Sequence, residues 1–182
     1  LAWRCYHFDA YPVEGQVGLI QALLSQVKAG LTAQHQVKVE VDRGIGTSPL
    51  LVKAIQALEF DFLFRVQGTT RFKSKQGKEY PLRQLVKMGE HWTGSGYVFK
   101  KHGWLQVHVY VYWELGYPDL WCLISNRDDL HGRDYAIRYW QEAGFRDLKS
   151  DGWNWQRSQV WQPDHAQRLI LIMALAYAWM LS

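Results

Sequence analysis

The sequence predicts an α/β fold with a β-rich stretch in its middle, and three observations carry that prediction. The first third alternates strand and helix patterns. The middle is a series of short alternating runs dense in glycine, lysine and aromatic residues. The last third holds two helix-length stretches. The chain has 182 residues, 48% of them hydrophobic and 21% charged, which suffices for one buried core and argues against disorder.

Leu1 to Phe8 reads as an aromatic-rich strand. Leu19, Ile20, Leu23, Leu24 and Val27 recur at helical spacing, and Gly30 stops that helix. Val37 to Asp42 alternates cleanly as a strand. Thr47 or Ser48 followed by Pro49 starts a helix whose apolar face is Leu50, Leu51, Ala54, Ile55 and Leu58. Phe62 to Val66 is a further strand, stopped at Gln67-Gly68. The resulting order, strand, helix, strand, helix, strand, predicts a sheet with parallel neighbours.

From Thr69 to Ser125 the pattern changes. Trp92 to Lys101 and Trp104 to Trp113 read as a hairpin joined at Lys101-His102-Gly103, and Leu120 to Ser125 as another strand. Helices are expected over about Asp134 to Lys149 and Asp164 to Leu181, separated by a Trp-rich turn at Gly152 to Trp155. Residues 1–68 are thus read as the first part of a core, 69–125 as a β-rich insertion and 126–182 as the helical remainder.

Ten Trp, ten Tyr and seven Phe imply a large core, stacking surfaces, or both. The net charge of +4 suits a polyanionic partner as well as it suits an ordinary basic domain. Cys5 and Cys122 stand far apart and outside any C-x-x-C pair, which excludes a disulfide framework or a zinc knuckle and fits a reducing cytosol. The longest apolar run, Leu169 to Leu181, is shorter than the roughly 20 residues a membrane span needs. The seven histidines show no ligand spacing, and Gly44 and Gly46 do not form a nucleotide-binding loop.

The stretch Tyr135 to Lys149 carries the most chemistry. On one continuous helix, Tyr135, Arg138, Glu142 and Lys149 fall within an arc of roughly 60°, with Ile137, Trp140, Gly144 and Leu148 opposite. Such a polar face suits a phosphate chain: Glu142 can hold a metal ion while Arg138 and Lys149 neutralise phosphate oxygens. Taken without its spacing, it would be an ordinary amphipathic helix with i, i+4 ion pairs.

The spacing Tyr-x2-Arg-x3-Glu-x6-Lys resembles the signature of DDE insertion-sequence transposases of the IS-four type, and a chance match in a chain of this length is on the order of one in a thousand. Val39 to Gly44 resembles the family's second catalytic strand, which closes on an aspartate. Phe145 to Trp153 and the helix ending Ala174 to Trp179 resemble its C-terminal end. The resemblance implies an RNase H-like core broken by a β-rich insertion ahead of the glutamate. It also implies DNA cleavage and strand transfer by phosphoryl transfer, with two Mg²⁺ or Mn²⁺ ions bridging two aspartates and a glutamate. Asp42 would be the second aspartate and Glu142 the glutamate, both of them metal ligands. Tyr135, Arg138 and Lys149 would contact DNA phosphate near the cleaved end. Partners would be the transposon ends and target DNA, with a homodimer for the intact enzyme in the bacterial cytoplasm at the nucleoid.

The first aspartate has no counterpart. Asp9 is the nearest carboxylate, but it follows the opening strand in a turn before Pro12. A truncated, inactive fragment is therefore expected, because the carboxylates act as a unit. Two other readings are a non-catalytic DNA-binding or dimerising remnant, and a nuclease of the same fold with another role. Arg65, Lys73, Lys75, Lys78, Lys100 and Lys101, interleaved with Trp92, Trp104 and Trp113, form either a base-stacking surface or core aromatics beside solvated lysines.

Overall fold

A computed structural model describes residues 5–6, 8–10 and 12–180. The chain divides into two compact units, Thr32–Ala136 and, separately, Leu1–Leu31 with Ile137–Ser182.

Unit Thr32–Ala136 is built on a seven-stranded sheet among the described residues. Its strands are β1 (Lys38–Val41), β2 (Asp61–Val66), β3 (Arg71–Ser74), β4 (Glu79–Pro81), β5 (His91–Val98), β6 (Leu105–Tyr112) and β7 (Trp121–Ser125). The spatial order is β1-β2-β7-β6-β5-β3-β4. β1 and β2 are parallel, as the alternating strand and helix pattern predicts, and every other pairing is antiparallel. β7 joins β2 in register, Phe64 opposite Ile124, so the strands of the middle segment continue the sheet that β1 and β2 begin.

Strand alternation sorts the side chains onto two faces. One face gathers Val41, Phe62, Phe64, Val66, Ile124, Val109 and Val111, nearly all solvent-free. The helix α2 (Pro49–Ala57) packs against β2 through Leu51, Val52 and Ile55, each fully buried. Its start is the one the sequence announces: the Ser48 hydroxyl accepts the Leu51 amide hydrogen at 3.3 Å, and proline occupies the first turn. The opposite face holds Leu63, Tyr110 and Leu123, joined by Tyr135 and flanked by Tyr112, Trp121 and Leu130.

At the outer end of the sheet the ring of Phe72 lies over Gly96. A methyl group at residue 96 would stand 2.3 Å from that ring and 2.6 Å from the Lys73 carbonyl. The expected hairpin is present as β5–β6, with His91 opposite Tyr112 and Val98 opposite Leu105, but its first strand ends at Val98 and not at Lys101.

The second unit contains three α-helices among the described residues: α1 (Gly15–Ala29), α3 (Arg138–Arg146) and α4 (Pro163–Met180). α1 ends at Gly30, whose N–H is directed to the Lys28 and Val27 carbonyls, yet none of its residues is fully buried. α4 buries Ala166, Met173 and Ala174 and exposes Leu171, Ile172, Leu175 and Trp179. Of the strand expected over Leu1 to Phe8, residues 1–4 and 7 lie outside the described residues. Cys5 and Tyr6 have no regular structure, and Phe8–Ala10 form a 3-10 turn that carries Asp9.

Two consequences can be measured. Gly96→Val forces a branched side chain into the Phe72 ring and is expected to lower stability by about 1–3 kcal/mol in urea unfolding, with the midpoint moved and the slope kept. His108, whose ring accepts or donates a hydrogen bond to the Ser95 hydroxyl at 3.1 Å, is held below its ordinary value. Burial is the main cause, with Lys75 adding to it and Asp128 opposing it; the Tyr110 ring lies 4.8 Å away. The folded imidazole stays neutral where the unfolded one takes up a proton, so stability falls as pH drops through the ordinary value of 6.5. His108→Gln is expected to flatten the fall in melting temperature between about pH 7 and about pH 5. An unchanged fall would remove His108 as its cause.

Candidate active site

Asp42 follows directly on β1, at the carboxyl end of the parallel pair, where open α/β sheets carry ligand groups. Its Oδ1 accepts the Gly44 amide hydrogen at 2.9 Å, and its carbonyl accepts those of Ile45 at 3.2 Å and Gly46 at 2.7 Å. The loop turns back so closely on β2 that a Cβ at Gly46 would lie 2.1 Å from the Arg65 carbonyl oxygen. Only glycine fits there. Two guanidiniums adjoin this loop. Arg43 reaches Asp119 Oδ2 at 3.4 Å, Arg65 reaches the same oxygen at 3.8 Å, and Arg65 lies 5.8 Å from the centre of the Trp121 ring. Sequence pattern groups Arg65 with the lysines of the middle segment. Its partnership with Asp119 across a strand crossing has no local signal.

The signature residues sit in three kinds of backbone rather than on one helix. Tyr135 belongs to a 3-10 turn (Gly132–Ile137), Arg138 and Glu142 to α3, and Lys149 to a π-turn (Asp147–Asp151). The expected single helix over Asp134 to Lys149, and the 60° arc drawn on it, are corrected accordingly. The physical reason lies in the anchors. The Tyr135 ring is 3% exposed and meets Trp121 edge-on at 5.3 Å, and Ile137 offers no capping side chain. At the other end the Asp147 carbonyl collects the amide hydrogens of Gly152 at 3.0 Å and Trp153 at 2.8 Å, which widens the last turn.

On α3 the i, i+4 relation holds: Arg138 Nη2 lies 2.9 Å from Glu142 Oε1, with the Glu142 side chain 51% exposed. The side expected to be apolar is not covered, since Trp140 is 79% and Ile137 60% exposed. Lys149 lines a cleft of about 240 Å³ with Phe145, Leu148, Trp155, Ile170 and Met173. Tyr177 donates to Asp147 Oδ2 at 3.1 Å, and that hydrogen bond, with some burial, raises the phenol above its ordinary value.

Among the described residues no three His, Cys, Asp or Glu side chains gather as metal ligands. The donors at issue, Asp42 and Glu142, are hard carboxylates, the chemistry that magnesium and manganese prefer. No described helix is long and apolar enough to cross a membrane.

A family model described as a transposase DDE domain matches residues 15–179. The chain belongs to the DDE transposase family. No curated protein matches the sequence. The mixed α/β sheet is compatible with the RNase H-like fold of such transposases, whose activity is a transposase function on DNA that generally employs divalent metal ions.

Tyr135 in this DDE domain is a core residue by position, and its substitution must be read with that in mind. Tyr135→Ala is expected to destabilise the sheet unit by about 3–5 kcal/mol. Tyr135→Phe keeps the ring against Trp121, so any loss of DNA affinity it shows reports on the hydroxyl alone. Equal stability of the wild type and Tyr135→Ala in urea would contradict the packing described.

Proposed function

We propose that this chain carries the second and third carboxylates of an insertion-sequence transposase of the IS-four type, Asp42 and Glu142, as ligands of two divalent cations. The observation that carries the reading is the complete Tyr135, Arg138, Glu142, Lys149 spacing inside the matched domain, together with an aspartate closing the strand β1. Bound cations would activate a nucleophile and stabilise the leaving oxygen of a phosphodiester.

The chain's own side chains do the rest. Asp42 is oriented by the Gly44 amide before any ligand arrives. Arg138 is paired with Glu142 in an i, i+4 bridge whose glutamate is half-exposed, a contact of a kind worth about 0.3–0.5 kcal/mol, so a phosphate oxygen can replace that one partner at small cost. Lys149 presents a second cation to the DNA backbone beside an apolar cleft. The resemblance also gives Tyr135 a phosphate contact, which requires its hydroxyl, on a residue 3% exposed, to be uncovered when DNA binds. Residues 69–125 are read as an insertion between β2 and this segment, and a homodimer is the assembly proposed. Asp9, on its 3-10 turn, is not assigned the remaining carboxylate position.

With two of three carboxylates, residues 1–182 alone are expected to bind DNA without nicking it. Supplying an aspartate-bearing strand upstream of Leu1 is expected to give nicking of transposon-end duplex with Mg²⁺ or Mn²⁺. Asp42→Asn or Glu142→Gln should then lower the rate at least about a thousandfold, with the melting temperature nearly unchanged. Full nicking in both variants would overturn the assignment of the two carboxylates.

A further inference from the structure

The outer edge of the sheet concentrates positive charge to a degree that no other part of the chain does. The segments 71–81 and 99–104 hold Arg71, Lys73, Lys75, Lys78, Lys100 and Lys101 against the one carboxylate Glu79. They take six of the chain's 21 basic residues and one of its 17 acidic ones, which leaves 15 against 16 elsewhere. The whole positive balance of the protein therefore resides on β3, the β3–β4 turn and the β5–β6 turn.

The aromatic residues there are arranged to hold ammonium groups. Lys73 lies 5.1 Å from the Tyr97 ring centre and 4.7 Å from that of Trp104. Lys100 lies 5.9 Å from Trp104 and bonds Glu79 at 2.7 Å. Cation–π interactions of this kind fix the ammonium groups on the surface and leave their charge intact. At the turn, Phe99 (φ 62°), Gly103 (φ 90°) and Trp104 (φ 56°) all adopt left-handed backbone where the hairpin closes, and the Trp104 ring stands beside Lys73 and Lys100. By contrast Trp92 packs edge-on against Phe72 at 5.5 Å, and Trp113 donates its indole N–H to the Tyr117 carbonyl at 3.1 Å. Both belong to the fold. Only Trp104 of the three joins the lysines.

We infer that this edge, centred on Lys73, Trp104, Lys100 and Lys101, is a second DNA-binding surface that grips the phosphate backbone of duplex DNA without reading bases. The inference rests on the transposase reading for the choice of DNA over other polyanions. It names a surface outside the signature segment. The Trp104 ring holds ammonium groups, so the grip is that of charge on phosphate, and it is strongly dependent on salt.

The test is binding of the 182-residue chain to a labelled duplex of about 30 base pairs without metal, followed by anisotropy between about 50 and about 200 mM salt. Replacing exposed Lys75, Lys78 and Lys101 together by Gln is expected to weaken binding at low salt at least about tenfold. The slope of log affinity on log salt should fall by about 0.9 for each phosphate that the variant no longer neutralises. Lys101→Gln alone serves where the triple variant shows altered circular dichroism, and Lys53→Gln on α2 is the matched charge control. Equal slopes in wild type and patch variants, no binding by the wild type, or equal competition by poly-glutamate would each overturn the inference. Nicking measured in parallel separates the two readings. In the protein carrying an upstream aspartate strand, a patch variant that nicks as fast as its unsubstituted parent and keeps an unchanged slope sinks the surface and leaves the transposase assignment standing. Salt-sensitive binding that disappears in the patch variants, with no nicking by the protein carrying an upstream aspartate strand, supports the surface and sinks that assignment.

Discussion

The hydroxyl of Tyr110 governs how the chain leaves the sheet. It donates to the Arg127 carbonyl at 3.0 Å and accepts the Leu130 amide hydrogen at 3.1 Å, so residues on both sides of the turn after β7 are tied to one point on β6. Tyr112, two residues along the same face, accepts the Gly132 amide hydrogen at 3.0 Å. Burial pushes both phenols above their ordinary range, the mark of hydroxyls kept as neutral hydrogen-bonding groups. A backbone group left unpaired under this segment would cost about 1–3 kcal/mol, and the two tyrosines prevent that at three positions. The segment they hold down ends at Tyr135, the first residue of the signature.

Charge reinforces the same joint. Arg127 bonds Asp61 at 3.1 Å and Asp129 at 2.7 Å, and its amide donates to the Ser125 hydroxyl at 3.0 Å. Asn126 donates to Asp61 at 2.6 Å and accepts the Phe62 amide hydrogen at 3.0 Å. The start of β2 and the end of β7 are thereby clamped side by side. The two carboxylates hold the guanidinium charged, and its hydrogen bonds in turn keep Asp129 below the usual carboxylate range. The partners that join β2 to this turn are separated by more than sixty residues in sequence, which explains why nothing local announces them.

What sequence can and cannot reveal divides along the same line. The β5–β6 hairpin, the capped start of α2 and the parallel β1–β2 pair are written in period and in punctuating residues, and they stand where the pattern puts them. The signature spacing is legible because it is a fact of sequence. Its geometry is not, because a helical wheel presumes uniform turns. Tyr135 is drawn into the sheet core and tightens the backbone to a 3-10 turn, while the Asp147 carbonyl widens it to a π-turn at the far end. Period alone also cannot foresee Phe99 and Trp104 in left-handed backbone. That conformation costs about 1–3 kcal/mol per residue and is imposed by the hairpin's closure.

The two carboxylates central to the proposed chemistry are held in different ways, and the difference has consequences. Asp42 is fixed by the fold. Between the end of β1 and the Ser48 cap of α2, its carbonyl takes two amide hydrogens and its side chain a third, and the absence of a side chain at Gly46 lets the loop lie against the Arg65 carbonyl. Glu142 is fixed by little: it stands on a helix with no buried residue, and its bond to Arg138 is a surface ion pair that salt weakens. In the proposed chemistry one ligand is therefore pre-oriented and the other adjustable. On that proposal, binding energy spent at the adjustable one would draw Glu142 and Arg138 into place only when a substrate's phosphates are present to compete for the guanidinium. An exposed, weakly paired glutamate is then no defect. On the proposed chemistry it is what would let the same guanidinium serve the free helix and a bound phosphate backbone in turn.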